Sequence, residues 1–587
     1  MAAAAFALGV FGQEWRYYGG DAGGSKYSPL RQISRSNVAK LKVAWTYRTG
    51  EKSDGTSMSR TAFEGTPLAI GGRLYLTTPF NRLVALDAET GREIWAFDPK
   101  LDLKRTYSLL INRGAAWWSD GRIKRLLYGT LDGRLLSIDA ETGREVWSVN
   151  LRAGVADRFP DRAYGLTSPP AIYRDLAIVG SLASDGEPQG PSGDIRAFEV
   201  STGKLVWRFH VVPQPGEFGH DTWEPGSTAD RGGINAWAPL SVDEKRGLVF
   251  VPLTSPATDR YGGDRKGDNL FGNSLVALDA ATGKRIWHFQ TVRHDLWDYD
   301  LPAQPNLIEM GGKALVAQVT KTGLLFVFDR QTGKPYFPIE ERAVPASEIS
   351  GERTSPVQPF PVKPPPFARN SFRLDELRPG SAFCEGIVKD AIVGGPYTPI
   401  GSKTTIVFPG TNGGANWGGA SFDPRTQTLY VNSMDVGMIQ YLTARPGTSI
   451  ARTRGVGTRD SRFWDKELTP CQKPPWGHLT AIDMIEGKFR WRVPLGAPET
   501  GSPNIGGTIV TAGGLVFAGA TNDRRFRAFD AATGVKLWET ELPASAFATP
   551  MTYRAPKSGK QFVVVAAGGG NDYESAVADE LIAYALP

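Results

Sequence analysis

The sequence predicts an all-β protein, and more specifically an eight-bladed β-propeller with four-stranded antiparallel blades. Three observations lead to this fold class. Glycine (68) and proline (42) are abundant, helical periodicity is scarce, and one strand–turn–strand motif recurs along most of the chain. Many short strands joined by tight turns are typical of all-β barrels, sandwiches and propellers, and the repeat favours the propeller.

The repeated motif is Ala-x-Asp-x-x-Thr-Gly-x-x-x-Trp. Each copy is interpreted as a strand, a turn in which Thr-Gly supplies a positive φ, and a second strand closed by an aromatic residue. The first copies lie roughly 50 residues apart, which suits four-stranded blades. The closing aromatic residues are Trp95, Trp147, Trp207, Trp287, Phe337, Trp491 and Trp538.

The two ends of the chain complement each other. The strand at 41–45, which ends in Trp45, lacks the first half of the motif, and that half stands at 581–586. We therefore expect the N-terminal strand to pair with the C-terminal strand and complete the last blade. Adding Trp45 to the seven copies predicts eight blades, and closure leaves no long unpaired strand edge.

One interval is irregular, from Phe337 to Trp491. The Pro-rich stretch 356–366 is expected to cross one face as a loop without sheet pairing, whereas 404–410 and 428–434 read as strands. The predicted organisation is one domain over 13–587 with insertions at about 340–403 and 435–475. Long loops in compact domains are more often functional than decorative.

The termini, charge and cysteines limit the function classes. Residues 1–12 are small and apolar, like the end of a signal peptide, and no later segment approaches the roughly 18 apolar residues of a membrane span. These features predict an exported, periplasmic protein, either soluble or peripherally membrane-associated. The 67 basic and 61 acidic residues are interspersed, so we expect no nucleic-acid partner.

The chain has two cysteines, Cys384 and Cys471. Neither stands in a C-x-x-C-H motif or a zinc pattern, so no covalent haem is expected. They form either one disulfide, if the protein is exported, or two separate buried thiols.

The stretch 294–300, HDLWDYD, places three carboxylates and a histidine directly after a predicted strand. In an extended segment Asp298 and Asp300 point the same way, because side chains alternate with a period of two. Two such carboxylates can hold a hard cation, or one can act as a base beside it. The alternative is a surface loop with solvated acids.

Several motifs along the chain carry a further signal. They are WRYYGGDAGGSKYSPLRQI (15–33), INRGAAWW (111–118), LTSPPAI (166–172), INAWAPLSVD (234–243), HDLWDYDLPAQP (294–305), KTGLLFVFDRQTG (321–333) and ATPMTYR (548–554). With these motifs the chain resembles the pyrroloquinoline-quinone (PQQ) dependent dehydrogenases, and most closely the quinoprotein domain of membrane-bound glucose dehydrogenase.

The resemblance implies a catalytic base and a metal site. Asp298 matches the base that removes the substrate hydroxyl proton. The implied metal ligands are Asp185, Ser255, Asp298 and Asp300, with Ca²⁺ as the default ion. Asp300 also matches the extra carboxylate of lanthanide-using members, so a lanthanide is the alternative.

The resemblance also implies cofactor contacts. Arg113 would pair with a PQQ carboxylate, Lys321 would face the quinone oxygen, and Trp237 would stack beneath the rings. Thr167, Ser181 and Asn416 are polar candidates for hydrogen bonds to the cofactor. One departure concerns 107–111, YSLLI, which has neither the adjacent-cysteine disulfide nor the histidine that caps the quinone in relatives. Aliphatic or aromatic groups are expected there.

The predicted function is a PQQ- and metal-dependent dehydrogenase that oxidises a CH–OH group of a sugar, polyol or alcohol. Since no haem motif is present, its electrons are expected to pass to a separate acceptor, a cytochrome c or a quinone. Two alternatives remain. One is a non-enzymatic propeller scaffold of the outer-membrane-assembly type, and the other is a quinoprotein relic without cofactor.

Overall fold

The computed structural model describes residues 14–444, 451–455, 461–571, 573 and 576–587. The signal-like segment 1–12 lies outside these residues. The described chain is built mainly of short strands, with one α-helix, α1 (Ala382–Val388), and 3₁₀ turns at Val38–Lys40, His220–Thr222 and Leu374–Glu376. None of the helices in these ranges is long and apolar enough to cross a membrane.

Eight main sheets, numbered here 1 to 8, follow one another along the described chain. Most have four antiparallel strands. Sheet 1 contains Leu68–Ile70, Arg73–Thr77, Leu83–Asp87 and Glu93–Phe97; sheet 2 contains Ala116–Ser119, Lys124–Gly129, Arg134–Asp139 and Glu145–Asn150; and sheet 3 contains Ala171–Tyr173, Leu176–Val179, Ile195–Glu199 and Leu205–Phe209. Sheet 4 contains Ser241–Asp243, Leu248–Pro252, Ser274–Asp279 and Arg285–Gln290; sheet 5 contains Asn306–Met310, Lys313–Val319 and Leu325–Asp329; and sheet 6 contains Ala420–Asp423, Thr428–Met434, Gly477–Asp483 and Lys488–Pro494. Sheet 7 contains Tyr27–Ser28, Thr508–Thr511, Leu515–Ala518, Arg525–Asp530 and Lys536–Glu541, and sheet 8 contains Lys42–Arg48, Met551–Arg554, Gln561–Gly569 and Val577–Ala585.

Smaller pairings connect or extend the main sheets. They are Thr61–Ala62 with Leu110–Ile111, Tyr164–Gly165 with Leu182–Ala183, Ile339–Ala343 with Val357–Pro361, and an outer sheet of Ile392–Val393, Thr405–Val407, Met438–Ala444 and Ala451–Gly455.

The repeated motif explains the turn between the third and fourth strands of a sheet. In sheet 4, Asp279 Oδ1 accepts hydrogen bonds from the backbone N–H groups of Ala281 (3.1 Å) and Thr282 (2.8 Å) and from the Thr282 hydroxyl (2.8 Å). Gly283 follows at φ +72°, a conformation that glycine adopts at no steric cost. Asp, Thr and Gly are thus each required by the turn.

The same turn receives the tryptophan of the neighbouring sheet. A Cβ added to Gly283 would lie 2.4 Å from Cε3 of Trp207, the closing tryptophan of sheet 3. The Trp207 indole also donates a hydrogen bond to the Ala280 carbonyl, 3.2 Å away. Sheets 4 and 5 repeat the contact, where Trp287 lies against Gly333 and donates to the Arg330 carbonyl. The motif therefore docks sheet 3 onto sheet 4 and sheet 4 onto sheet 5.

The ends of the chain pair as the sequence predicts. Lys42–Arg48 runs antiparallel to Val577–Ala585, with Trp45 opposite Ala583. The Trp45 ring also lies against Gly91 in the turn of sheet 1. The N-terminal strand therefore belongs to the last sheet and contacts the first one.

Two local predictions were wrong. The copy ending at Phe337 has no fourth strand in sheet 5, only a single bridge between Phe328 and Pro335. Pro335 and Pro338 remove N–H donors that a ladder needs. Conversely, the Pro-rich stretch does pair, through Val357–Pro361. Pro359 and Pro361 are two residues apart, so their backbone nitrogens point to the same side of the strand. Both missing N–H groups therefore lie on the side away from the partner strand.

The long interval between sheets 5 and 6 continues into the loop of sheet 6 and carries the cysteines. Cys384 in α1 and Cys471 form a disulfide across a sequence separation of 87 residues, which decides between the two expectations for these thiols. Both cysteines are fully buried among Phe372, Phe408 and Phe463. The cross-link therefore fastens the two insertions to each other.

We predict that Gly283→Ala destabilises the protein more than a turn substitution without a neighbouring sheet. A positive φ costs an alanine roughly 1–2 kcal/mol, and overpacking against Trp207 adds roughly 1–3 kcal/mol. The matched control is Gly216→Ala, at φ +88° with nothing within 4 Å of the added Cβ. Denaturant-induced unfolding measures both variants. Equal losses would show that the tryptophan contact contributes nothing.

Candidate active site

The predicted site residues lie at one end of the sheets. Arg113, Thr167, Trp237 and Asn416 stand just before the first strand of sheets 2, 3, 4 and 6, and Ser181, Ser255 and Lys321 just after the second strand of sheets 3, 4 and 5. In an antiparallel pair, the start of one strand and the end of the next are adjacent. The Asp-x-x-Thr-Gly turns occupy the opposite end.

Asp295 organises the loop that follows Gln290. Its carboxylate accepts hydrogen bonds from the Ser255 hydroxyl, from Asn273 Nδ2 at 2.9 Å, and from the backbone N–H groups of Trp297 (2.9 Å) and Tyr299 (2.7 Å). Burial raises the pKa of this carboxyl, and the hydrogen bonds oppose the shift. Asp295 therefore shapes the loop and has no exposed oxygen to offer a ligand.

The loop presents Asp298 and Asp300 to Lys321. The Lys321 ammonium lies 2.9 Å from Asp298 Oδ1 and 3.2 Å from Asp300 Oδ2, and it donates to the Asp298 carbonyl at 2.8 Å. Arg260 reaches the other oxygen of Asp298 at 3.3 Å. Asp300 also accepts from the Ser255 N–H (2.8 Å) and the Trp237 indole (3.2 Å). Two carboxylates and two cations thus meet beside Trp237.

The charges in this cluster are coupled. Burial raises the pKa of the Asp298 carboxyl well above its usual range; Lys321 and Arg260 oppose the shift, while Asp300 and Asp259 increase it. Burial disfavours the charged form of Lys321, yet Asp298 and Asp300 hold the pKa of its ammonium above the usual value. Removing either cation would therefore favour protonation of Asp298.

Asp185 lies close enough to this cluster for the charges of Asp259, Asp300 and Arg260 to affect its pKa. Its side chain reaches solvent, but desolvation by the surrounding protein, with Asp259 and Asp300, raises the pKa of its carboxyl to about 7. The cluster contains four carboxyl groups, those of Asp185, Asp259, Asp298 and Asp300, and two cations, Lys321 and Arg260. This excess of acidic groups is suited to binding a hard cation. Among the described residues, however, no three His, Cys, Asp or Glu side chains already converge into a metal cage, and the Ser255 hydroxyl bonds to Asp295 instead.

Arg113 lies between two indoles. Its guanidinium carbon is 5.1 Å from the Trp237 ring and 5.0 Å from the Trp417 ring, and its NH2 group pairs with Glu64 at 3.1 Å. Its backbone N–H donates to the Thr167 carbonyl at 2.9 Å, and the Thr167 hydroxyl donates to the Trp237 carbonyl at 3.3 Å. Arg113, Thr167 and Trp237 thus form one connected unit.

A cavity of about 560 Å³ opens above this unit, within the size range of small-molecule sites. Arg113, Thr167 and Trp237 line it, together with Tyr107, Ser108 and Leu109. Tyr107 and Leu109 are an aromatic and an aliphatic side chain, the two kinds of group that the sequence predicts for this segment. An indole face, a buried guanidinium and apolar walls fit a flat aromatic cofactor that carries carboxylates.

The other predicted contacts lie apart from this cavity. Ser181 is buried beside Thr167 behind the wall. Asn416 caps its own loop, donating to the Asn412 carbonyl (2.8 Å) and accepting from the Trp417 N–H (2.8 Å). Its visible role is to hold Trp417 against Arg113.

Sequence reasoning missed four residues of this region: Glu64, Trp417, Asp259 and Arg260. Glu64 stands in the apolar stretch AFEGTPL and is buried, and an acid in such a setting signals a buried partner. Trp417 lies outside the repeat, as Trp237 does. Asp259 and Arg260 carry no comparable local signal, because only the folded loop brings them to Asp298.

Comparison with known proteins defines the class. A family model described as "PQQ: Glucose/ethanol/alcohol dehydrogenase, beta-propeller domain" matches residues 15–563. The chain belongs to this family of PQQ-dependent dehydrogenases, and it is accordingly a quinoprotein oxidoreductase. The resemblance found in the motifs is confirmed, as is an all-β, propeller-like fold with many four-stranded antiparallel sheets.

Individual relatives cover nearly the whole chain. Quinate/shikimate dehydrogenase (quinone) of Acinetobacter baylyi is 35% identical over 97% of this chain and 78% of its own length. Quinoprotein glucose dehydrogenase A of Acinetobacter calcoaceticus is 33% identical over 99% and 80%. The crystal structure of quinohemoprotein alcohol dehydrogenase from Comamonas testosteroni has a TM-score of 0.73 at 27% identity, covering 100% of this chain and 84% of that one.

We predict that Asp295→Ala lowers the free energy of unfolding by about 2–4 kcal/mol, because it leaves buried donors without acceptors. Asp268→Ala is the matched control: its side chain is exposed, and only its backbone carbonyl supports the loop, through His294. Denaturant-induced unfolding compares the two. A loss no larger than that of the control would mean that Asp295 does not hold the loop.

Proposed function

We propose that the protein is a PQQ- and metal-dependent dehydrogenase that oxidises a CH–OH group of a sugar, polyol or alcohol. The observation that carries the proposal is that Lys321 bridges Asp298 and Asp300, and that Asp300 accepts a hydrogen bond from Trp237, which lines the cavity with Arg113. The relatives are named for quinate or shikimate, glucose, glycerol and alcohol substrates, which supports this substrate range.

The proposed cofactor residues divide by chemistry. Trp237 offers an aromatic face for the rings, and Arg113 offers a guanidinium to a carboxylate. Lys321 would supply a positive charge to the quinone oxygen. Thr167, Ser181 and Asn416 complete the proposed set as hydrogen-bonding groups; Ser181 and Asn416 need local rearrangement, since neither lines the cavity.

The proposed metal ligands are Asp185, Ser255, Asp298 and Asp300. A cation there would lower the raised pKa values of Asp185 and Asp298 and keep both carboxylates ionised. Ca²⁺ is the default, and the extra carboxylate of Asp300 suits a larger trivalent lanthanide. The Ser255 hydroxyl can bind the cation only if it breaks its hydrogen bond to the Asp295 carboxylate.

Bound PQQ supplies the two-electron acceptor, and the cation polarises its carbonyl. The chain's own residues supply the proton chemistry. Asp298 lies between Lys321 and Arg260 and, once a bound cation had lowered its raised pKa, would accept the proton of the substrate hydroxyl. Trp237 and Leu109 bound the cavity from two sides and exclude water from the reacting carbon.

The wider setting is part of the proposal. We take the eight main sheets as the blades of one ring over 13–587, closed by the pairing of Lys42–Arg48 with Val577–Ala585, with insertions at about 340–403 and 435–475. A periplasmic location, a signal remnant at 1–12 and electron transfer to a cytochrome c or a quinone complete it. The disulfide supports export, because such bonds persist in oxidising compartments.

Reconstitution tests this function. Purified protein is incubated with PQQ and either Ca²⁺ or a lanthanide, and dye reduction is followed with glucose, glycerol, quinate and simple alcohols. We expect dye reduction that requires both PQQ and a cation. If neither cation yields quinone absorbance or dye reduction, the chain is a relic or a scaffold and the proposal fails.

We predict that Asp298→Asn retains PQQ but loses turnover by roughly 100-fold or more, since general-base catalysis contributes about 10²–10⁴-fold. The readouts are PQQ binding by absorbance and dye-linked kcat. Asp390→Asn, an exposed aspartate beside α1, is the matched control and keeps full activity. Full activity in Asp298→Asn would show that another residue acts as the base.

A further inference from the structure

The mouth of the cavity carries a cation that the proposed chemistry does not use. Arg105 lines the cavity together with Thr106, Pro160 and Asp161. Arg113, the other lining arginine, is buried and paired with Glu64. The remaining walls are mainly apolar or aromatic, including Leu109, Leu131, Tyr164 and Leu182. A charged group at the mouth is therefore the main electrostatic feature that an entering substrate meets.

Arg105 has no anionic partner within the described residues. No ion pair or side-chain hydrogen bond of its guanidinium is found in these ranges, and its guanidinium carbon lies 5.9 Å from the Tyr107 ring. By contrast, the nearby Arg134 pairs with Asp132 and Arg158 with Asp230. A half-buried guanidinium that keeps all its donors free can bind an incoming carboxylate bidentately.

The backbone holds Arg105 in place at the mouth. Its N–H donates to the Asp102 carbonyl at 3.2 Å, and the Tyr107 N–H donates to the Ser59 hydroxyl at 2.9 Å. The segment then enters Leu110–Ile111, which pairs with Thr61–Ala62. Arg105 thus sits on an anchored segment that leads directly to the wall formed by Tyr107 and Leu109.

The surroundings of the mouth carry both charges, because Arg152 lies in the field of Arg105 and also of the acids Asp157 and Asp132. Burial lowers the pKa of Arg152, and the charge of Arg105 lowers it further, which shows that the two cations share one region. Arg152 donates to the carbonyl of Tyr164, a lining residue, at 3.2 Å. Asp161 is the one acid among the lining residues and is exposed. Arg105, which has no ion pair within the described ranges, is therefore the group at the mouth that favours a carboxylate over a neutral ligand.

We propose that Arg105 binds a carboxylate of the substrate, so that the preferred substrates are hydroxy acids. This inference rests on the proposed function and narrows its substrate class. The carboxylate stays at the mouth, unchanged, and directs the hydroxyl carbon inward. There the carbon gives a hydride to the quinone cofactor and the hydroxyl proton passes to Asp298, so a hydroxy acid becomes an oxo acid and the cofactor is reduced by two electrons.

The test compares quinate, a cyclic hydroxy acid, with its uncharged methyl ester and with glycerol, using the PQQ-loaded enzyme. Wild-type KM is expected to be lower for quinate than for the ester by roughly 10-fold or more, the size of a charge-assisted contact. Arg105→Gln should raise the quinate KM roughly 10- to 100-fold and change the ester KM far less. Arg105→Lys, which keeps the charge but not the fork, should recover part of the loss.

A binding readout accompanies the kinetics. Calorimetry of quinate with the protein before and after loading should show weaker binding in Arg105→Gln, while the dissociation constant for PQQ stays within about twofold of wild type. Lys104→Gln, an exposed neighbour outside the cavity lining, is the matched control and leaves both quantities unchanged. Circular dichroism verifies that each variant is folded.

The outcomes separate the two proposals. Oxidation of glycerol or glucose without binding or turnover of quinate overturns the hydroxy-acid inference and leaves the dehydrogenase standing. No oxidation of any substrate after loading overturns the proposed function. If Arg105→Gln raises the PQQ dissociation constant instead, Arg105 belongs to the cofactor. If Asp161→Asn impairs glycerol oxidation while Arg105→Gln leaves the quinate KM unaltered, Asp161 and not Arg105 contacts the substrate. The inference also fails in that case.

Discussion

The contact between a closing tryptophan and the Thr-Gly turn of the next sheet is the constraint on which the molecule depends. Trp207 shows why: its ring occupies the space that a side chain at Gly283 would need, and its indole N–H satisfies the Ala280 carbonyl. Burying an aromatic ring at such a junction, Trp207 against Gly283 or Phe337 against Gly487, supplies hydrophobic free energy between sheets that share no strand ladder. The glycine is therefore required twice, for its φ and for its missing side chain.

This docking divides the molecule into two ends with different tasks. The turns that receive the tryptophans lie at one end of the sheets, so their residues are committed to packing. Loops at the other end are free of that requirement and carry the side chains proposed to form the active site. Lys321, which follows the second strand of sheet 5, lies 2.9 Å from Asp298 in the loop after sheet 4. This ion pair connects neighbouring sheets at one end, and the packed tryptophans connect them at the other.

The insertions reinforce the end of the sheets that carries Arg113 and Trp237. The disulfide between Cys384 and Cys471 fastens them together, and Trp464, seven residues before Cys471, is buried in one cluster with Trp417. Trp417 in turn stacks on Arg113. A chain of packed aromatic groups thus connects the cross-linked insertion with the guanidinium proposed to bind the cofactor, and stiff packing of this kind limits how far Arg113 can move.

The sequence by itself determined the all-β class, the repeated strand–turn–strand unit, the pairing of Lys42–Arg48 with the C-terminal strand, and the family, because each rests on local patterns such as Asp279-x-x-Thr-Gly283. The short motifs also indicated Asp298, Arg113 and Trp237. Only the tertiary structure decided that Pro335 and Pro338 end sheet 5 early, that the two cysteines bond, and that Arg260 and Glu64 face Asp298 and Arg113. Those outcomes depend on distances between segments far apart in the chain, and no local pattern encodes such distances.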